Sequence, residues 1–256
     1  DAADKRIYVW FDAPIGYVTN TRQWGLDQGL GDDAWKCWWK DRGTRMIHFI
    51  GKDNVPFHAV IFPAMLMGQE GYITADQVVG NEYLNIYNRR TGKSEKGSKS
   101  KGNMISVRWA LDHLSADALR YYLCAIAPES KDSDFDWDEF MARYNGELCD
   151  VVGNFVHRAL TMAVKNFEQA VPPQGTLDDE DLAMLDAIIQ QRDAVAEALE
   201  NFRFRQAMER FIDLGRKANV YFDQKQPWVT RKSDMARTAS TLYVCCQVVH
   251  GLCHLM

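Results

Sequence analysis

Between Arg89 and Lys101 the chain sets Arg89, Arg90, Lys93, Lys96, Lys99 and Lys101 against a single acid, Glu95, with Gly92 and Gly97 and several serines among them. Lysines on such a segment can swing onto a triphosphate and neutralise charge as pyrophosphate leaves. Cations placed that way contribute on the order of a few kcal/mol to a transition state. The glycine-serine composition predicts neither strand nor helix here. A solvated hairpin tip is the plain alternative for such a charge run.

Other residues invite chemistry in the same two-sided way. Trp10 and His58 are suited to an aromatic pocket or equally to a core, and Asp53 to a hydroxyl ligand or to a helix cap. Asn154 and Arg158 stand four apart, on one helical face. Their amide and guanidinium suit base edges, and Trp228 offers a stacking plane. Interhelical hydrogen bonds and a packed tryptophan after Pro227 are the alternative.

The elements that must position these residues change character along the chain. Residues 7–11 and 46–50 are short apolar runs, each ending in a polar or glycine turn, as strands buried on both faces do. Residues 57–67 read as helix, so the first part is α/β, with the ligand crevice at the loops past the strand ends. Residues 112–127 read as helix and 134–139 as a short strand or turn. From about residue 142 nearly everything is helical. Leu182, Leu185, Ile189, Ala196 and Leu199 repeat at helix spacing, as do Phe204, Met208, Phe211, Ala218 and Phe222. The breaker at residues 171–175 separates two of these helices.

With 256 residues, 46% hydrophobic and 12% aromatic, the chain can bury proper cores. A net charge of -5 argues against a uniformly basic nucleic-acid coat but not against a local basic stripe. The six cysteines form no C-x-x-C pair and read as free thiols of a reducing, cytoplasmic setting, with no metal site. No run reaches the roughly 20 residues of a membrane span, so no membrane partner is expected.

Lys96-Gly-Ser-Lys-Ser100, followed by Lys101-Gly-Asn103, resembles the KMSKS signature of class I aminoacyl-tRNA synthetases, with Gly97 where that family usually has a large apolar residue. Tyr8-Val-Trp-Phe-Asp-Ala-Pro-Ile-Gly-Tyr17 and His48-Phe-Ile-Gly-Lys-Asp-Asn-Val-Pro-Phe-His58 resemble the methionyl-tRNA synthetases. So do Asn154-Phe-Val-His-Arg158 and Asp223-Gln-Lys-Gln-Pro-Trp228. The resemblance implies a partial Rossmann-like parallel sheet ending in the KMSKS-type loop (residues 1–103). Connecting helices and a short strand (104–141) and an antiparallel anticodon-binding helix bundle (142–256) would follow.

It also implies a methionine–tRNA ligase using ATP with Mg2+ as substrate, with L-methionine and tRNA(Met) as partners. Lys96 and Lys99 would be catalytic, and Gly51, Asp53 and Lys99 would hold ATP. Trp10, Ala13, Pro14, Tyr17, Asn54 and His58 would hold methionine, with Tyr17 and His58 donating weak hydrogen bonds to its sulfur. Asn154, Arg158, Asp223 and Trp228 would meet the anticodon. Such enzymes also carry a HIGH motif in a first half and often zinc knuckles in an inserted domain. Neither occurs in this sequence, both ends read as cut, and the chain alone is expected not to adenylate methionine. An isoleucyl, leucyl or valyl type and a non-catalytic tRNA-binding module are the alternatives.

Overall fold

The computed structural model describes residues 4–5, 9, 12–98 and 102–255. Trp10 and Lys99, and most of the strand expected at residues 7–11, lie outside the described residues. The chain divides into two compact units: Asp1–Tyr83 with Pro128–Asp132, and Leu84–Ala127 with Ser133–Met256. These boundaries differ from those expected at 103/104 and 141/142.

In the first unit a 3-10 turn at Ala13–Ile15, preset by Pro14, leads into α1 (Gly16–Asp27), followed by α2 (Lys36–Trp39) and β1 (Ile47–Gly51). A 3-10 turn at Lys52–Asn54 and a π-helical turn at Phe57–Ile61 run into α3 (Phe62–Met67). Pro63 has no N–H for the carbonyl four residues back, which favours the wider turn before it. The chain returns through β2 (Gln77–Asn81), parallel to β1, with Ile47 opposite Gln77 and Gly51 opposite Asn81. Val18, Trp39, Phe62 and Leu66 form the core beneath. The expectation that this strand is buried on both faces needs correcting, because Phe49 is 49% exposed.

The second unit opens with β3 (Leu84–Asn88) between β4 (Lys93–Glu95) and β5 (Ser133–Phe135), antiparallel to the former and parallel to the latter. β4 falls inside the basic segment where no strand was expected. The Asn88 side chain accepts the Arg90 amide, Gly92 takes φ 64°, and its N–H closes on the Asn88 carbonyl at 2.8 Å. That turn aims the chain back along β3, so pairing supplies what local propensity lacks. α4 (Val107–His113) and α5 (Ala116–Ala125) replace the one helix expected at 112–127, because Ser115 between them is extended at φ -61°, ψ 131°.

Asp136 caps α6 (Trp137–Arg143), which continues through a π-helical stretch at Tyr144–Gly153 into α7 (Asn154–Asn166). α8 (Asp179–Glu200) and α9 (Phe204–Lys225) are joined by three residues and so run antiparallel. α10 (Pro227–Thr230) and α11 (Met235–Leu255) complete the helices.

The bundle core gathers Phe155, Phe211, Leu214, Phe222, Leu242 and Val248. α9 buries Phe211, Ala218 and Phe222 as its spacing predicts, but on α8 the predicted stripe is misplaced, with Leu182 and Ile189 about half exposed. The buried face of α8 is Asp181, Met184, Gln191, Val195 and Ala198. Asp181 can sit inside because Arg237 donates to both its oxygens at 2.5 Å, Tyr221 donates at 2.6 Å, and its carboxylate closes a capping box with Asp178. No helix among the described residues is long and apolar enough to cross a membrane.

Candidate functional site

On α1, residues 17, 20, 21 and 24 share one face. With Trp38, Trp39, the stretch Thr44–Ile50 and His58 they line a cleft of about 770 Å³. Phe62 lies under it, edge-on to Tyr17 and Trp39 and stacked on His48. The indole N–H of Trp39 is satisfied by Thr21 at 2.9 Å.

Tyr17 and His58 are brought together. His58 is buried, its Nδ1 is 2.9 Å from the Asn54 carbonyl and its Nε2 is 3.0 Å from the Tyr17 hydroxyl. A carbonyl only accepts, so the neutral ring carries its proton on Nδ1, and the Tyr17 hydroxyl donates to Nε2. In that state neither side chain has a donor left for a thioether, contrary to the donor role expected of both. Asn54 reaches this arrangement through its backbone. Ala13 and Pro14 build the turn that starts α1 and do not line the cleft.

His48 was missed, although it opens the motif that ends in His58. Its ring meets that of His58 edge-on at 5.6 Å, and its Nδ1 is buried without a hydrogen-bond partner. Burial, helped by His58, holds its pKa below the usual histidine value. Asn20, Thr21 and Trp24 were also missed, though their helical spacing from Tyr17 was there to be read.

At the end of β1 there is open space in front of Gly51. Asp53 caps no helix, and its carboxylate instead accepts the Tyr83 hydroxyl. Lys52 is paired with Glu82 and with Asp132 at 3.0 Å, over the Tyr83 ring. Hydrogen bonds that Lys52 donates to Glu82 and then Asp132 push its pKa upward, and the Tyr83 amide followed by Lys52 holds Asp132 below the usual carboxylate range.

Lys96 is exposed just past β4. Asn103 ties the base of this segment together, its Oδ1 accepting the Ser98 amide at 2.8 Å and its Nδ2 donating to Glu95 at 3.3 Å and to the Lys96 carbonyl at 3.4 Å. Glu95, the lone acid of the basic run, also accepts from Asn88 at 3.2 Å. It is an anchor for two asparagines.

In the bundle, Arg158 donates to Asp223 at 2.6 Å, with its guanidinium over the rings of Phe222 at 4.6 Å and Trp228 at 5.6 Å. Gln226 closes α9 in the left-handed region at φ 44°, and Pro227 starts α10, which turns Trp228 back to within 5.7 Å of Phe222. Asn154 is exposed one turn before Arg158 on the same face of α7. Among the described residues no group of His, Cys, Asp and Glu could hold a metal ion.

Residues 1–160 match the family model of tRNA synthetases class I (M). The chain is 43% identical, over 98% of its length, to the methionine–tRNA ligase of Salinibacter ruber, of which it covers 35%. It is 42% identical to that of Pyrococcus horikoshii, again covering 98% of this chain and 35% of the relative. It thus spans about a third of the length of these curated relatives. Among solved structures, Mycobacterium tuberculosis methionyl-tRNA synthetase in complex with methionyl-adenylate matches with a TM-score of 0.81 at 32% identity, covering 97% of this chain and 47% of that one.

Proposed function

We propose, from the premise that this chain belongs to the class I (M) tRNA synthetases, that it serves a methionine–tRNA ligase. In that reaction the methionine carboxylate attacks the α-phosphate of ATP held with Mg2+, giving methionyl-adenylate and pyrophosphate. The methionyl group then passes to the 3′ end of tRNA(Met), releasing AMP. The observation that carries this reading is the Tyr17–His58–Asn54 relay in a cleft walled by aromatic rings. A thioether is apolar and polarisable and sits well against such edges. Because the relay's donors are engaged internally, the side chain would be recognised by shape and dispersion.

Gly51 leaves room for a nucleotide at the end of β1, and the remaining oxygen of Asp53 can accept a ribose hydroxyl. Lys96 and Lys99 would neutralise the departing pyrophosphate. Asn154, Arg158, Asp223 and Trp228 offer base-edge donors and acceptors beside an exposed ring, as an unpaired anticodon base requires. The setting would be cytoplasmic.

In the full-length ligase, Lys99→Ala is expected to slow adenylate formation about 10²–10³-fold while methionine binding barely changes; an unchanged single-turnover rate would sink the role. Methionine is expected to raise the melting temperature where isoleucine, leucine and valine do not, and the reverse result would favour another class I amino acid. Binding of tRNA(Met) should weaken when its CAU anticodon is changed, and equal affinities would remove the anticodon role.

A further inference from the structure

Asp53 stands exposed on the 3-10 turn at Lys52–Asn54, where a short carboxylate can swing about its terminal bond unless something holds it. The Tyr83 hydroxyl holds it, donating to Oδ2 from 30 residues along the chain. That leaves Oδ1 as the oxygen offered to a ligand.

Tyr83 is itself fixed at two further points. Its amide donates to Asp132 Oδ1 at 3.0 Å, and its ring lies beneath the Lys52 ammonium, whose Nζ is 4.4 Å from the ring centroid. Lys52 Nζ donates to that same Asp132 oxygen at 3.0 Å and is paired with Glu82 as well. The segment carrying Asp132 is tied alongside by the Glu82 amide, which donates to the Pro128 carbonyl at 2.8 Å. Lys52, Glu82, Tyr83 and Asp132 all belong to the first unit.

The Lys52 and Asp132 side chains are 37% and 45% exposed, and ion pairs so open to water contribute little to stability. Their effect here is geometric. One carboxylate oxygen takes both the backbone of Tyr83 and the ammonium over its ring, so the hydroxyl at the far end of that ring has one direction.

We propose that Tyr83 and Lys52 are positioning residues that aim Asp53 at the ribose of ATP, Tyr83 by holding one carboxylate oxygen and Lys52 by holding the Tyr83 ring. Neither has to touch the nucleotide. This rests on the reading of Asp53 as the acceptor of a ribose hydroxyl, and the two fail separately.

The test compares ATP with 2′-deoxy-ATP and 3′-deoxy-ATP in adenylate formation by the full-length ligase. Asp53→Ala should erase the preference for the nucleotide that keeps both hydroxyls; a preference that survives removes the ribose reading and the positioning role with it. Tyr83→Phe keeps the ring under Lys52 and removes only the hydroxyl. It should raise KM for ATP about tenfold and narrow the preference by a similar factor, leaving KM for methionine and the melting temperature as they were. Natural values in Tyr83→Phe, where Asp53→Ala has lost the preference, overturn the role of Tyr83 alone. Lys52→Met should raise KM for ATP about threefold, Lys52→Arg should keep most of the natural value, and Lys52→Met should add nothing once the Tyr83 hydroxyl is gone. No change in Lys52→Met overturns the role of Lys52. Losses that add in the double variant would show the ammonium meeting the nucleotide directly, and would overturn its action through Tyr83.

Discussion

Phe62 under the cleft and Phe222 in the bundle are equally buried, yet their neighbours differ. Around Phe222 stand Phe155, Leu242 and Val248, with no surface left to water, and Arg158 covers its ring. Around Phe62 the buried core is three side chains, Val18, Trp39 and Leu66, while Tyr17, Trp24 and Trp38 in the cleft remain nearly half exposed. The bundle uses its apolar residues on one another, and a buried ion pair fixes the register of α8, α9 and α11. The cleft keeps large rings at its surface, which is what an apolar binding site needs before its ligand arrives.

The comparison is easiest to break at Asp181. Asp181→Ala removes the acceptor of the buried Tyr221 hydroxyl and leaves Arg237 only Asp178, the Thr176 carbonyl and Thr241; it should cost about 3–5 kcal/mol, read as a lowered urea midpoint of the helical signal. A loss under about 1 kcal/mol would mean the ion pair does not hold the bundle. Next, Leu242→Ala should cost about 2–5 kcal/mol, while Trp24→Ala, a larger truncation, stays within about 0.5 kcal/mol and weakens apolar ligands of the cleft. Equal losses would show that the cleft's rings are core after all.

Smaller still, Tyr17→Phe should cost about 1 kcal/mol. The protonated-Nδ1 form of His58 should remain dominant in its ring ¹⁵N shifts, because the Asn54 carbonyl still holds that proton. Conversion to the Nε2 form would break the relay as described.

Acid should also separate the two regions. His48 has its pKa depressed by burial and then by His58, so the unfolded chain takes up its proton first. The cleft unit is therefore fully stabilised above about 6.5 and loses that contribution as pH falls through the lower folded value. At Asp181 burial pulls upward, but Arg237 and Tyr221 outweigh it, and Lys225 lowers Asp178. Both carboxylates are depressed, so their share is intact above about 3.9 and is lost only below it. Melting followed from pH 7 to 3 should weaken the cleft first, and His48→Gln should remove that early phase.

The legible parts were those whose cause is local. The motif from His48 to His58 names its own strand, turn and helix, and the spacing of Phe211, Ala218 and Phe222 names a buried face. The α8 stripe misled because its key core residue is a carboxylate, tolerable only with partners 40 and 56 residues away. β4 was invisible because a lysine-rich triplet becomes a strand only against β3. Glu95 read as a stray acid because nothing local says that Asn88 and Asn103 converge on it. The cleft itself was within reach, since Tyr17, Asn20, Thr21 and Trp24 share a helical face.

The π-helical stretch at Tyr144–Gly153 bears on how this chain can change over generations. Each residue of an α-helix turns the next by about 100°, so a single deletion there would spare the helix yet swing Asn154 and Arg158 off their present bearing. Asp223, on a different helix, would not follow. Descendants of this sequence should therefore exchange residues in that stretch far more freely than they gain or lose one. What is inherited there is a length.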